Sequence, residues 1–210
     1  MFSKIDEFDQ DGAVQETRAS FLKKTGIGAG ALVAGGAFMG ALPAIAGATN
    51  KVAASDVAIL NYALTLEYLE AAFYNEAVSS GALKGDAAKF AKIVAAHENA
   101  HVAFLKKALG SAAVKTPTFD FKGTTKDQAK FLATAQVLED TGVAAYLGQV
   151  GAIKSKAILG AAGSILPVEA RHAGWVREIN HVSGAPSAFE GGKTKTQILT
   201  AVKGTGFITG

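Results

Sequence analysis

Apolar residues at helical spacing recur in four long stretches of this chain, separated by short runs rich in Gly, Ser, Thr and Pro. The first predicted helix runs from about Ala53 to Val78, with Ser55 as a candidate N-cap and Gly81 as its stop. The second runs from about Gly85 to Leu109 and ends at Gly110; Lys106 and Lys107 fall in its last turn, where cations suit the helix dipole. The third starts after Thr124 or Thr125 and reaches about Gly151. The fourth occupies about Ser155 to Val182, and Pro167 inside it predicts a kink or a restart. Between the second and third, Ser111 to Thr125 reads as a connection containing Pro117 and the alternating Phe119 and Phe121. Fully extended, it would span about 50 Å, enough to carry the chain along a whole bundle. Ser183 to Gly210 is a Gly/Thr/Lys-rich tail with one apolar run, Ile198 to Val202, expected to pack over a bundle end or to stay partly loose.

Acidic residues break this pattern in a repeated way. Glu67 stands among Leu66, Leu69, Ala71, Ala72 and Phe73; Glu139 stands among Val137, Leu138, Val143 and Ala144. A lone Glu on a helix is ordinarily a surface residue, but a carboxylate set in apolar surroundings is costly to bury without a partner. Each is followed, 31 and 30 residues later, by Glu-x-x-His: Glu98-Asn99-Ala100-His101 and Glu169-Ala170-Arg171-His172. Residues i and i+3 share a helix face, so each motif aims a carboxylate and an imidazole at one point. With a turn midway between each Glu and its Glu-x-x-His, the two legs are nearly equal, so the paired carboxylates come level across an antiparallel pair. Tyrosine repeats too: Tyr74 and Tyr146 each lie seven residues after the lone Glu, on the same face. They read either as core aromatics or as groups beside the ligands. Glu70, three after Glu67, reads as an alternative ligand, an acceptor next to the ligands, or an exposed residue. Trp175, three after His172, reads as a core residue or a packing partner of that histidine.

One segment also matches a different motif. His97-Glu98-Asn99-Ala100-His101 has the H-E-x-x-H form of zinc hydrolases, in which His97 and His101 would bind zinc and Glu98 would act as base. That reading leaves Glu67, Glu139, Glu169 and His172 unexplained, and no run of strands precedes the segment. With the six-residue set as ligands instead, His97 lies about 100° round the helix from Glu98, on the surface or behind the ligands.

At these residues the chain resembles the ferritin-like family, in particular its exported branch, which includes desiccation-related proteins. The stretch from Asn61 to Tyr74 (NYALTLEYLEAAFY) looks like that branch's first helix, and the resemblance covers roughly Ser55 to Ser183. It implies an all-α fold, an up-down-down-up four-helix bundle with a long crossover between the second and third helices. It also implies a pair of iron or manganese ions bridged by Glu98 and Glu169, with Glu67, Glu139, His101 and His172 as terminal ligands. Such a pair would work on oxygen or peroxide; the alternative within the same fold is a non-catalytic stress or structural bundle with a stabilising metal.

Composition narrows the remainder. Cys is absent, so disulfides, thiolate catalysis and thiolate metal sites are excluded, and any metal must take oxygen and imidazole ligands. From residue 51 onward 17 Lys and Arg face 13 Asp and Glu, and the cations are scattered rather than clustered, which excludes a nucleic-acid surface. Residues 1–48 read as an export signal: Thr17-Arg18-Ala19-Ser20-Phe21-Leu22-Lys23-Lys24 resembles a twin-arginine signal with Ala19 where the second arginine would stand. The uncharged Thr25 to Ala48 follows, with small-residue cleavage sites at Ala44-Ile45-Ala46 and Ala46-Gly47-Ala48. Left uncleaved, that segment is long enough to anchor the chain in a membrane. The expected organisation is thus a signal over 1–48, a bundle over 49–183 and a tail over 184–210, in a protein of the periplasm or cell envelope. No segment marks an oligomer surface.

Overall fold

The computed structural model describes residues 53–210, so the signal-like segment and its cleavage sites lie outside the described residues. Five α-helices follow: α1 (Ala54–Ser80), α2 (Gly85–Leu109), α3 (Gln128–Val150), α4 (Lys156–Ile179) and α5 (Lys195–Thr205). No strand longer than an isolated bridge occurs among the described residues, and no described helix is long and apolar enough to cross a membrane.

The helix ends follow local chemistry. Gly81 closes α1 in the left-handed conformation and Gly110 closes α2. Asp127 caps α3, accepting from the Lys130 N–H at 2.9 Å, after a 3-10 turn over Thr124–Lys126. Ser155 caps α4. Ser55 is not a cap: it lies inside the first turn of α1, and Ala53 stands at the N-cap with no side-chain bond. The acidic residue of that turn, Asp56, is committed elsewhere. It is fully buried and accepts the N–H groups of Lys154 (3.0 Å) and Ser155 (2.8 Å), tying the α3–α4 turn to the start of α1. Pro167 does not restart α4, which is continuous through it; the missing N–H leaves the Gly163 carbonyl without its helical donor.

Side-chain contacts fix the topology. Tyr146 on α3 reaches Glu67 and Tyr74 on α1 reaches Glu139, so α1 and α3 are antiparallel. Arg177 binds Asp140 through two nitrogens (3.1 and 2.8 Å) and Asn180 donates to Gln136, so α3 and α4 are antiparallel as well. His101 meets Glu169 while His97 meets His172, which sets α2 against α4 in the same sense. The directions are therefore up, down, down, up. The α2–α3 connection runs the length of the bundle: Asn61 near the start of α1 holds Ala112 and Val114, and Ser80 at the end of α1 donates to the Thr125 carbonyl.

The tail neither caps an end nor hangs loose. α5 opens with a capping box of Thr194 and Gln197 and inserts Ile198 and Val202 into the core. It lies along the flank: Lys195 stands over the Tyr62 ring, and Phe207 beyond its far end packs edge-on against Phe121. Past α5 the chain pairs with the crossover, where Phe119 and Ile208 form an antiparallel bridge. Tail and crossover cover the outer side of α1, which explains why that helix buries residues all round rather than along one stripe. At the entry to α5 the chain passes so close to α3 that a Cβ on Gly148 would lie 2.0 Å from the Lys193 carbonyl oxygen.

Replacing Asp56 by Ala would strand two backbone donors at the α3–α4 turn. The expected loss is about 1–3 kcal/mol of stability with helix content kept, measured by urea unfolding followed by circular dichroism.

Candidate metal centre

The lone glutamates sit midway along α1 and α3, and the Glu-x-x-His motifs midway along α2 and α4. The antiparallel crossings bring all six side chains to one point. Glu67, Glu98, Glu139 and Glu169 are fully buried and His172 is 3 % exposed. Two overlapping groups result: Glu67, Glu98, His101 and Glu169 form one, Glu98, Glu139, Glu169 and His172 the other. Within each, one ligand atom per residue lies within 4.8 Å of all the others. Glu98 straddles the two, with Oε2 at 3.2 Å from His101 Nδ1 and Oε1 at 3.2 Å from His172 Nδ1. Glu169 Oε1 lies 3.1 Å from His101 Nδ1; Glu67 Oε2 and Glu139 Oε2 lie 3.3 Å from His101 and His172 respectively.

Apart from the hydrogen bond between His101 Nδ1 and Glu98 Oε2, these atoms approach one another without pairing. Glu67 Oε2, Glu98 Oε1, Glu139 Oε2, both Glu169 oxygens and His172 Nδ1 are buried and have no aligned hydrogen-bond partner. Unsatisfied buried polar atoms are expensive, and their lone pairs converge on a common centre rather than on each other. The remaining oxygens of the terminal carboxylates are taken crosswise: Tyr146 donates to Glu67 Oε1 and Tyr74 to Glu139 Oε1. Each tyrosine thus fixes a glutamate of the other repeat and leaves its Oε2 free. That places both tyrosines beside the ligands as well as in the core.

The electrostatics point the same way. Burial pushes Glu67 up to about 7 and Glu169 well above the usual carboxylate range, Glu169 also through the charges of Glu98 and Glu67. Burial alone would raise Glu98 too, but His101, hydrogen-bonded to Oε2, and the His172 imidazole beside Oε1 hold it below that range. Against their own burial, the surrounding carboxylates raise His101 strongly and His172 to about 10. Without metal, protons must therefore be held in the centre. Four carboxylates carry as much negative charge as two divalent cations carry positive, so two such ions neutralise the group with both imidazoles uncharged. The donor set, oxygen and imidazole without sulfur, fits iron or manganese.

Three neighbours complete the site. His97 belongs to neither ligand group, so the zinc-hydrolase pairing of His97 with His101 has no geometric counterpart. Its Nδ1 lies 2.8 Å from His172 Nε2, with the rings stacked. With His172 Nδ1 turned to the carboxylates, its Nε2–H donates to His97, which fixes the ring. Glu70 is buried, not exposed, and burial together with Glu169 and Glu139 raises it well above the usual range. Its counterpart in the repeat is Gly142, three after Glu139. A Cβ there would lie 3.1 Å from Glu169 Oε2 and 3.2 Å from Glu70 Oε1, so the glycine makes room for the extra carboxylate. Sequence reasoning missed Gly142, although aligning the two repeats would have exposed the missing side chain. Trp175 packs edge-on against Phe90 at 5.2 Å, in the aromatic cluster beside the site.

A helical bundle whose core carries buried carboxylates and imidazoles on facing helices belongs to the class that houses metal ions between its helices. The ferritin-like domain matches residues 55–181, and the chain belongs to that family. No curated protein matches it.

Two substitutions test the supporting residues. His97→Ala should loosen His172 and weaken metal binding about 10–100-fold, as removal of a ligand's hydrogen-bond partner typically does. Titration of the variant with Mn(II) followed by electron paramagnetic resonance measures this. Gly142→Ala should also weaken binding, by forcing Glu169 or Glu70 to shift, while thermal unfolding stays close to wild type.

Proposed function

We propose that this is an exported ferritin-like protein holding two iron or manganese ions, bridged by Glu98 and Glu169, in a redox role under oxidative or desiccation stress. The observation that carries the reading is the convergence of four buried carboxylates and two imidazoles whose facing atoms have no other partner. Glu67 and His101 would complete one ion, Glu139 and His172 the other. When bound, such ions would supply redox chemistry towards dioxygen or peroxide. The chain's own part is positional. Tyr146 and Tyr74 hold the terminal carboxylates, His97 holds His172, and the apolar walls exclude bulk water. Export rests on the signal-like 1–48, through a twin-arginine-like route that admits folded, metal-loaded protein.

The test is metal content and turnover of the full chain. Two ions per chain are expected, with catalytic consumption of peroxide or oxidation of Fe(II); two ions without turnover would favour the stabilising-metal bundle, and fewer than two would refute the bridged pair. Affinity should rise with pH. His172, near 10 without metal, and Glu67, near 7, carry protons over much of the neutral range that the metal must displace. Weaker binding at pH 6 than at pH 8 is therefore expected, read by isothermal titration calorimetry in buffers of different ionisation enthalpy.

A further inference from the structure

The two repeats match at all six ligand positions and differ at one place beside them. Three residues past the lone glutamate, on the same helix face, the first repeat carries Glu70 and the second Gly142. The crosswise bonds of Tyr146 to Glu67 and Tyr74 to Glu139 bring these two positions level, midway between the halves of the centre. Glu70 takes the room that a second side chain would have filled. Its Oε1 and Oε2 lie 3.2 and 3.8 Å from where a Cβ on Gly142 would stand, and Glu169 Oε2 lies 3.1 Å from the same point.

The two carboxylates meet there without pairing. Glu169 turns Oε1 to His101 and Oε2 toward Glu70, and that Oε2 is buried with no partner. Glu70 is 4 % exposed, and no hydrogen bond or ion pair holds it among the described residues. What acts on it is burial, then the charges of Glu169, Glu139, Glu98 and Glu67 in that order. A carboxyl so placed costs stability, and an apolar side chain of the same length would fill the space without that cost. The charge of Glu139 also acts on it more than that of Glu67, although Glu67 stands one turn away on its own helix. Glu70 therefore leans to the half of the centre that holds Glu139 and His172.

We propose that Glu70 is a seventh metal ligand, closing over Gly142 onto the ion held by Glu98, Glu139, Glu169 and His172. The inference rests on the metal reading above and deepens it, because it makes the two ions unequal. One half would offer four carboxylates and an imidazole, the other three carboxylates and an imidazole. The extra oxygen donor makes the Glu139–His172 half the tighter one for an oxygen-seeking ion such as manganese.

Titration of the full chain with Mn(II), followed by electron paramagnetic resonance, tests this. The wild type should take up two ions in two unequal steps. Glu70→Gln keeps the shape and removes the charge; it should weaken the tighter step about tenfold or more and leave the other within about twofold. Glu70→Leu, which has no donor, should do the same. His172→Ala should abolish that same tighter step. The metal-free Glu70→Gln chain should melt no lower than wild type, since only a buried carboxyl is lost. Two equal steps in the wild type, equal weakening of both steps by Glu70→Gln, or weakening of neither overturns the proposal and leaves the metal reading standing. A metal-free Glu70→Gln chain that melts well below wild type overturns it too, by making Glu70 a packing residue. A wild-type chain that binds neither Mn(II) nor Fe(II) would instead overturn the metal reading, and the seventh ligand with it.

Discussion

Four carboxylates buried at one point constrain everything else in this bundle. Left ionised and unpaired, they would repel one another in a medium too apolar to screen them. The fold tolerates them because two histidines stand among them and two tyrosines hold their outer oxygens. That solution requires the helices to cross at one level. The level crossing in turn requires nearly equal legs from each turn to its ligands, and a crossover long enough to return the chain to the far end.

The repeat gives the centre a two-fold logic that the chain then breaks. Tyr74 and Tyr146 exchange partners symmetrically between α1 and α3. Glu70 has no partner carboxylate in the second repeat, because Gly142 stands where one would be, and His97 supports His172 with no equivalent hydrogen bond behind His101 among the described residues. Tyr74 sits among close-packed aromatic rings, whereas Tyr146 lines a cavity. Two chemically similar groups of side chains thus sit in different surroundings.

The segments outside the bundle contribute more than connection. α1 carries Glu67 and buries residues on several faces, so it needs cover on its outer side. The crossover and the C-terminal chain supply it, joined through the Phe119–Ile208 bridge and the Phe121–Phe207 contact. The position of Glu67 thus depends on residues more than a hundred positions away in sequence.

Sequence alone determined the four long helices, the glycine stops of the first two and the six converging side chains, because helical periodicity and equal leg lengths are local properties that repeat. It also showed that Glu67 and Glu139 lie in apolar surroundings. It could not decide between a core and a ligand-side role for Tyr74 and Tyr146, nor place Glu70, since those depend on which helix lies opposite. Ser55 looked like a cap by residue type, yet Asp56 turned out to matter at that end, through donors almost a hundred residues away. The tail's one apolar run, Ile198 to Val202, was visible, but its docking along the flank rests on Gly148, whose missing side chain lets the backbone pass. Pairings across helices, room left by an absent side chain and the void beside Tyr146 exist only once the elements are packed. They are properties of the space between helices, and no single helix encodes that space.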